Sequence, residues 1–228
     1  MKVLKLALCA AVASFTLAGA ASAQTMPDVS FNVGVTSDYV FRGYTQTDEG
    51  PAIFGGVDLT SGIFYAGAWA SNVDFFDSTD AELDLYAGVK PTLGPVGLDL
   101  GLIYYSYINE PDGADYANVE LKAAGSVPVG PVTLGAGAYF SPDGFGAVEE
   151  ALYYEGNAAW SPMANFAVSG AVGRQTYEGG GDYTTWNLGA GYTFAEKFTL
   201  DVRYHDTDVD GCDDVCDERV VATLKAAF

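Results

Sequence analysis

One histidine and three cysteines occur in 228 residues, and only 10 lysines and arginines stand against 30 aspartates and glutamates. A lone histidine excludes histidine-rich metal centres and leaves His205 as the sole imidazole base for catalysis. Asp201 and Asp206 lie near it in sequence, but no serine falls in a nucleophile motif, Ser141 and Ser161 included. No enzyme is expected. So few bases, with a formal net charge of −20, argue against nucleic acid or anionic lipid headgroups and for cations as partners. Beyond the first two dozen residues there is no run of about 20 apolar residues, so no helical membrane span is expected.

What is present points to export. The chain opens MKVLKLALCAAVASFTLAGAASAQ, with Lys2 and Lys5 before an apolar run from Leu6 to Leu17 and the small-residue site Ala21-Ser22-Ala23. This predicts a secretory signal peptide over residues 1–23 and one exported domain over 24–228. Cys9 follows Leu8, not a small residue, and lies too early for a lipoprotein site. Loss of Lys2 and Lys5 takes the net charge from −20 to −22. Aromatics at 14% and 28 glycines separate the mature chain from acidic disordered tails.

The dominant pattern is alternation. In AELDLYAGVK, Leu83, Leu85, Ala87 and Val89 oppose Glu82, Asp84, Tyr86 and Lys90. In FTLDVRYHD, Phe198, Leu200, Val202 and Tyr204 oppose Thr199, Asp201, Arg203 and His205. The opening stretch FNVGVTSDYVFRG (31–43) reads as one such strand, with Phe31, Val33, Val35, Tyr39 and Phe41 on its apolar face. About twelve segments of this kind follow one another, each about 9–12 residues long, the length of a tilted membrane-spanning strand. FAVSGAVGRQTY fits worst: aligning Phe166, Val168 and Val172 turns Arg174 outward, and a bulge or a bilayer exit near Gly173 is needed.

The connections sort by parity. Those after even strands are tight and low in charge, such as TSG (60–62), PVGP (128–131) and AEK (195–197). Those after odd strands carry acid, such as YTQTDEG (44–50), DFFDSTD (74–80), NEPDGAD (109–115) and VDGCDDVCDE (209–218). A soluble sandwich has no reason to sort its loops this way. The expected fold is therefore all-β: a closed antiparallel transmembrane β-barrel of about 12 strands, with short periplasmic turns and acidic extracellular loops. Tyr39, Phe41, Trp69, Tyr104, Phe140, Trp160, Tyr192 and Phe194 are assigned to interfacial girdles. Phe228 closes the last alternating strand as a signal for the barrel-assembly machinery.

Asp38, Arg42, Glu82, Asp84, Lys90, Asp99, Glu120, Lys122, Glu155, Asp201, Arg203 and Lys225 are the candidate lumen residues. No connection exceeds about ten residues and Gln24 to Asp28 is too short for a plug, so these side chains must make any constriction. Acids outnumber bases among them, predicting weak cation selectivity. The alternative is a filled barrel in which charges pair off, Asp38 with Arg42 and Asp201 with Arg203, serving as a structural or loop-binding protein. DTDVDGCDDVCD (206–217) places Asp206, Asp208, Asp210, Asp214 and Asp217 around Gly211 in the order of a calcium loop, with a solvated acidic loop as the alternative reading. No other cofactor is expected. Cys212 and Cys216, the cysteines left after cleavage, are expected as a disulfide in an oxidising compartment; zinc would need further ligands, and only His205 is near. The transported solute and the oligomeric state are not encoded legibly.

The stretches TSDYVFRGYTQTDEGPAIFGGVDL and GIFYAGAWASNVDF resemble the TorF-type porin family, a similarity running from about Val29 to the last strand, with its specific motifs mostly before residue 90. The resemblance implies an outer-membrane barrel acting as a passive pore, without catalytic residues.

Overall fold

The computed structural model describes residues 27–146 and 148–228, so the leader and its cleavage site lie outside the described residues. Twelve long strands form the wall. They are β1 Asp28–Thr36, β2 Ala52–Ser61, β3 Phe64–Asn72, β4 Ala81–Val89, β5 Val96–Ile108 and β6 Asn118–Val129, then β7 Val132–Ser141, β8 Ala151–Met163, β9 Phe166–Tyr177, β10 Tyr183–Phe194, β11 Phe198–Thr207 and β12 Arg219–Ala227. Each is antiparallel to its neighbours, and β1 pairs with β12 from Asn32 opposite Ala227 to Thr36 opposite Thr223. Phe31 and Phe228 exchange backbone hydrogen bonds of 3.1 and 2.9 Å at this seam. The sheet therefore has no free edge, the condition for a strand structure in lipid.

The two faces are inverted relative to a soluble protein. Outward-facing Phe31, Leu102, Leu188 and Val220 are exposed, Leu188 at 62%, while inward-facing Glu82 is 2% exposed and Asp99, Glu120, Asp201 and Arg203 are also buried. Two stacked sheets would have buried the leucines instead. Turns after even strands are short, as at 62–63, 130–131 and 164–165, and the acidic connections gather at the opposite rim.

Arg174 needs no bulge. The β8–β9 register is continuous from Ala151 opposite Tyr177 to Trp160 opposite Val168. Arg174 lies near the acidic end of β9, 3.7 Å from Asp182, 3.6 Å from Asp208 and 3.1 Å from the Thr184 hydroxyl. The strand has reached polar surroundings there, and three rim partners satisfy the guanidinium.

The first strand differs most from its sequence reading. It ends at Thr36, and residues 37–51 form a connection longer than any expected, containing a ladder of Val40–Phe41 against Tyr44–Thr45. Arg42 and Gly43 turn it, with φ of 49° and 93°, the two positive values that suit a tight hairpin turn. This hairpin folds into the barrel. Tyr39 and Phe41 consequently leave the girdle and face the interior: Tyr39 packs edge-on against Trp69 with centroids 5.3 Å apart, and Phe41 against Tyr105 at 6.0 Å. Trp69 leaves the girdle with them, packing also near Phe54. At the rim, Phe75, Tyr107, Tyr116 and Phe145 pack ring to ring, stitching three acidic loops together.

Candidate functional site

The lumen holds two layers of polar side chains. The first is the hairpin and its seat, close to the acidic ends of the strands. Arg42 reaches the wall with Nη2 2.7 Å from Glu120 Oε1 and donates from Nη1 to Gln175 Oε1 at 3.3 Å. Its guanidinium lies 4.3 Å from the Tyr153 ring centroid, 5.2 Å from Tyr139 and 4.6 Å from Phe41. Tyr105 donates to the other Glu120 oxygen at 2.9 Å, so a wall residue as well as Arg42 orients the carboxylate. Asp38 sits 2.9 Å from Arg219 and accepts from the hydroxyls of Thr45 and Thr47, bracing the hairpin base. Tyr39 donates to Glu82 at 3.0 Å, and Tyr44 packs against Tyr183 across the lumen. Gly43 passes so close to Thr185 and Thr207 that a Cβ there would collide with both.

The second layer lies on the wall nearer the short turns. Lys122 is 2.7 Å and Lys90 3.9 Å from the same Asp99 oxygen, and Tyr65 donates to Asp99 at 2.7 Å. Arg203 pairs with Asp201 at 3.1 Å and also donates to Ser169 and Asn187, tying β9, β10 and β11 together. Glu155 accepts from Tyr153 and Asn157, and Asp58 from Tyr86. Lys225 shares the inward face of β12 with Val221 and Thr223.

Of the two charge pairs considered from sequence, Asp201 with Arg203 forms. Asp38 and Arg42 do not meet; Arg219 and Glu120 take them instead. Arg219, Asp58, Gln175 and Tyr65 were missed, although Arg219 has the same odd parity as Val221 and Thr223. The two-residue Arg-Gly turn between VF and YT was the available signal for the hairpin.

The acidic 206–217 stretch disperses its carboxylates. Asp206 accepts from the Tyr204 hydroxyl at 2.7 Å and its neighbour's N–H, and Asp208 accepts the Thr184 N–H at 2.6 Å. That backbone hydrogen bond holds the Asp208 carboxyl below its ordinary pKa. The Asp214 carbonyl accepts from Arg219, as does that of Asp217, and Asp210 stands on the loop between Asp208 and Asp214. Among the described residues, no group of three or more histidine, cysteine, aspartate or glutamate side chains is gathered as a metal would need. Cys212 and Cys216 are joined by a disulfide, their Cα atoms 5.8 Å apart.

Solved structures share this architecture. The KdgM porin in complex with disordered oligogalacturonate superposes with a TM-score of 0.59 at 7% identity, covering 88% of this chain and 97% of that one. The NanC porin gives 0.56 at 9% identity over 88% and 99%. An outer-membrane channel from Pseudomonas putida F1 gives 0.52 at 12% identity over 90% and 96%. At such identities the likeness establishes the fold, that of outer-membrane porins. No relative is found among curated proteins. Residues 18–228 match a family model described as bacterial protein of unknown function, Gcw_chp, and the chain belongs to that family.

Proposed function

We propose that this protein, exported by its 1–23 leader, is an outer-membrane channel for passive diffusion of small hydrophilic solutes, with a preference for cations. The acidic rim faces outward, the short turns face the periplasm, and Phe228 marks the barrel for the assembly machinery. One observation carries the reading. Among the described residues the lumenal bases Arg42, Lys90, Lys122, Arg203 and Arg219 are each held by a carboxylate and Lys225 alone is not, while four carboxylates, Asp58, Glu82, Asp84 and Glu155, have no base within ion-pair distance. The interior field is therefore negative, and the acidic rim adds to it. The porin fold and the TorF-like N-terminal motifs support the same reading. We assign no catalytic role to His205, whose neighbours in the sheet are Asn187 and Arg219.

Reversal potentials across planar bilayers under a salt gradient test this. Steps with a cation-biased reversal are expected, and an anion bias would overturn the selectivity. A second reading, a filled barrel serving as a structural or binding protein, is favoured by the hairpin clamp itself. Silence over many insertions, both of the wild type and of a variant lacking the clamp, would establish that reading instead.

A further inference from the structure

We infer that the wall seat of Arg42 is a recognition site for solutes ending in a guanidinium or primary ammonium group, and that Arg42 occupies it in their place. The inference rests on the channel reading above. Nearly all of the seat belongs to the wall: Glu120 on β6, Tyr139 on β7, Tyr153 on β8 and Gln175 on β9, with Phe41 alone contributed by the hairpin. A carboxylate in the plane of a cation and aromatic rings over its faces is the chemistry that selects a flat organic cation over a small hydrated metal ion.

Wall residues other than Arg42 orient the seat. The Tyr105 hydroxyl fixes one oxygen of Glu120 and leaves the other free for a ligand. Tyr153 is held by Glu155, and its ring lies against Gly173, where any Cβ would strike it. The occupant, by contrast, is held at a cost: Arg42 is a non-glycine residue with φ of 49°. A free solute with the same head group bears no such strain.

The surroundings also offer more acceptors than Arg42 uses. Glu82 and Asp84 share the inward face of β4 and have no basic partner among the described residues. Asp84 is 9% exposed, and its Oδ1 is buried without a hydrogen-bond partner. Its register partner is Tyr105, the residue that orients Glu120. A second cationic group, or the amine of a short diamine, has an acceptor waiting beside the seat. Competition by such a solute releases Arg42 and lets the hairpin leave the wall.

The test uses the refolded full-length protein in planar bilayers and, separately, calorimetric titration, with methylguanidinium as probe and urea and sodium as controls. Methylguanidinium is expected to raise the opening frequency of the wild type, with urea and sodium inactive. Arg42→Gln is expected to conduct without the probe and to bind it, and adding Glu120→Gln should weaken that binding about tenfold or more, the scale of one charge-assisted hydrogen bond. Should Arg42→Gln not fold, Arg42→Lys keeps the charge but loses the planar fork, and should open at lower probe concentration than the wild type. Steady conduction by either variant, with no probe binding and no probe effect beyond that of sodium, overturns the inference and leaves the channel standing. Probe binding to Arg42→Gln without conductance in any variant keeps the seat as a binding site and removes the channel.

Discussion

The guanidinium of Arg219, the first residue of β12, lies 2.9 Å from the carboxylate of Asp38, two residues beyond the end of β1. Both side chains are over 90% buried. The pair joins the last strand to the base of the hairpin, and Thr45 and Thr47 close around the same Asp38. Removing Asp38 leaves the buried Arg219 with only the more distant, half-exposed Glu49 carboxylate at 3.7 Å, and breaking a buried pair costs up to about 3–5 kcal/mol. Asp38→Asn should therefore release the hairpin, read as faster proteolysis within 37–51 in the folded protein.

Arg203 makes the corresponding network on the neighbouring strand β11, bonded to Asp201, Ser169 and Asn187 while 3% exposed. Arg203→Ala strands Asp201 and should lower the melting temperature more than the double change with Asp201→Ala. A double loss equal to the sum of the two single losses would mean that the pair is not coupled.

Gly173 lies beneath the Tyr153 ring, and a Cβ at this position would overlap it. Gly173→Ala must tilt Tyr153 away from Arg42 or shift the strand, at a cost of about 1–3 kcal/mol. The expected readout is a lower melting temperature together with increased conductance, since the same ring packs on the Arg42 guanidinium.

The disulfide between Cys212 and Cys216 closes a very small ring. Chain-entropy arguments give it about 2 kcal/mol, less than a long loop would gain. Reduction should therefore leave the barrel folded, with protease sensitivity rising only within 208–218.

Asp208 is committed to the Thr184 N–H and to Arg174. Its pKa in the folded state lies below the unfolded value, so its contribution is present above about pH 4 and is lost as the pH falls through the lowered value. Protection of the Thr184 amide, its exchange relative to an unstructured chain at the same pH, should fall only at acidic pH. Because the Asp206 and Asp208 carboxylates are turned to different partners, millimolar calcium and its chelation should give coincident melting curves; a calcium-dependent rise would show that the loop gathers its acids to bind it.

Much of this protein was legible before any coordinates. In a strand successive side chains point to opposite faces, so Leu83 and Leu85 could be separated from Glu82 and Asp84 by counting alone. Counting the same way gave the twelve strands, and the acid in alternate connections gave the two rims. What the alternation could not reveal was where it stops mattering. Tyr39 and Phe41 continue the apolar parity of Phe31, Val33 and Val35, yet the strand ends at Thr36 and the chain turns inward. The pairing of Arg42 with Glu120, and of Arg219 with Asp38, depends on which side chains face each other across a closed cylinder. Local periodicity fixes the face on which a residue lies, whereas its partner across the lumen is set only when β1 meets β12 and the sheet closes.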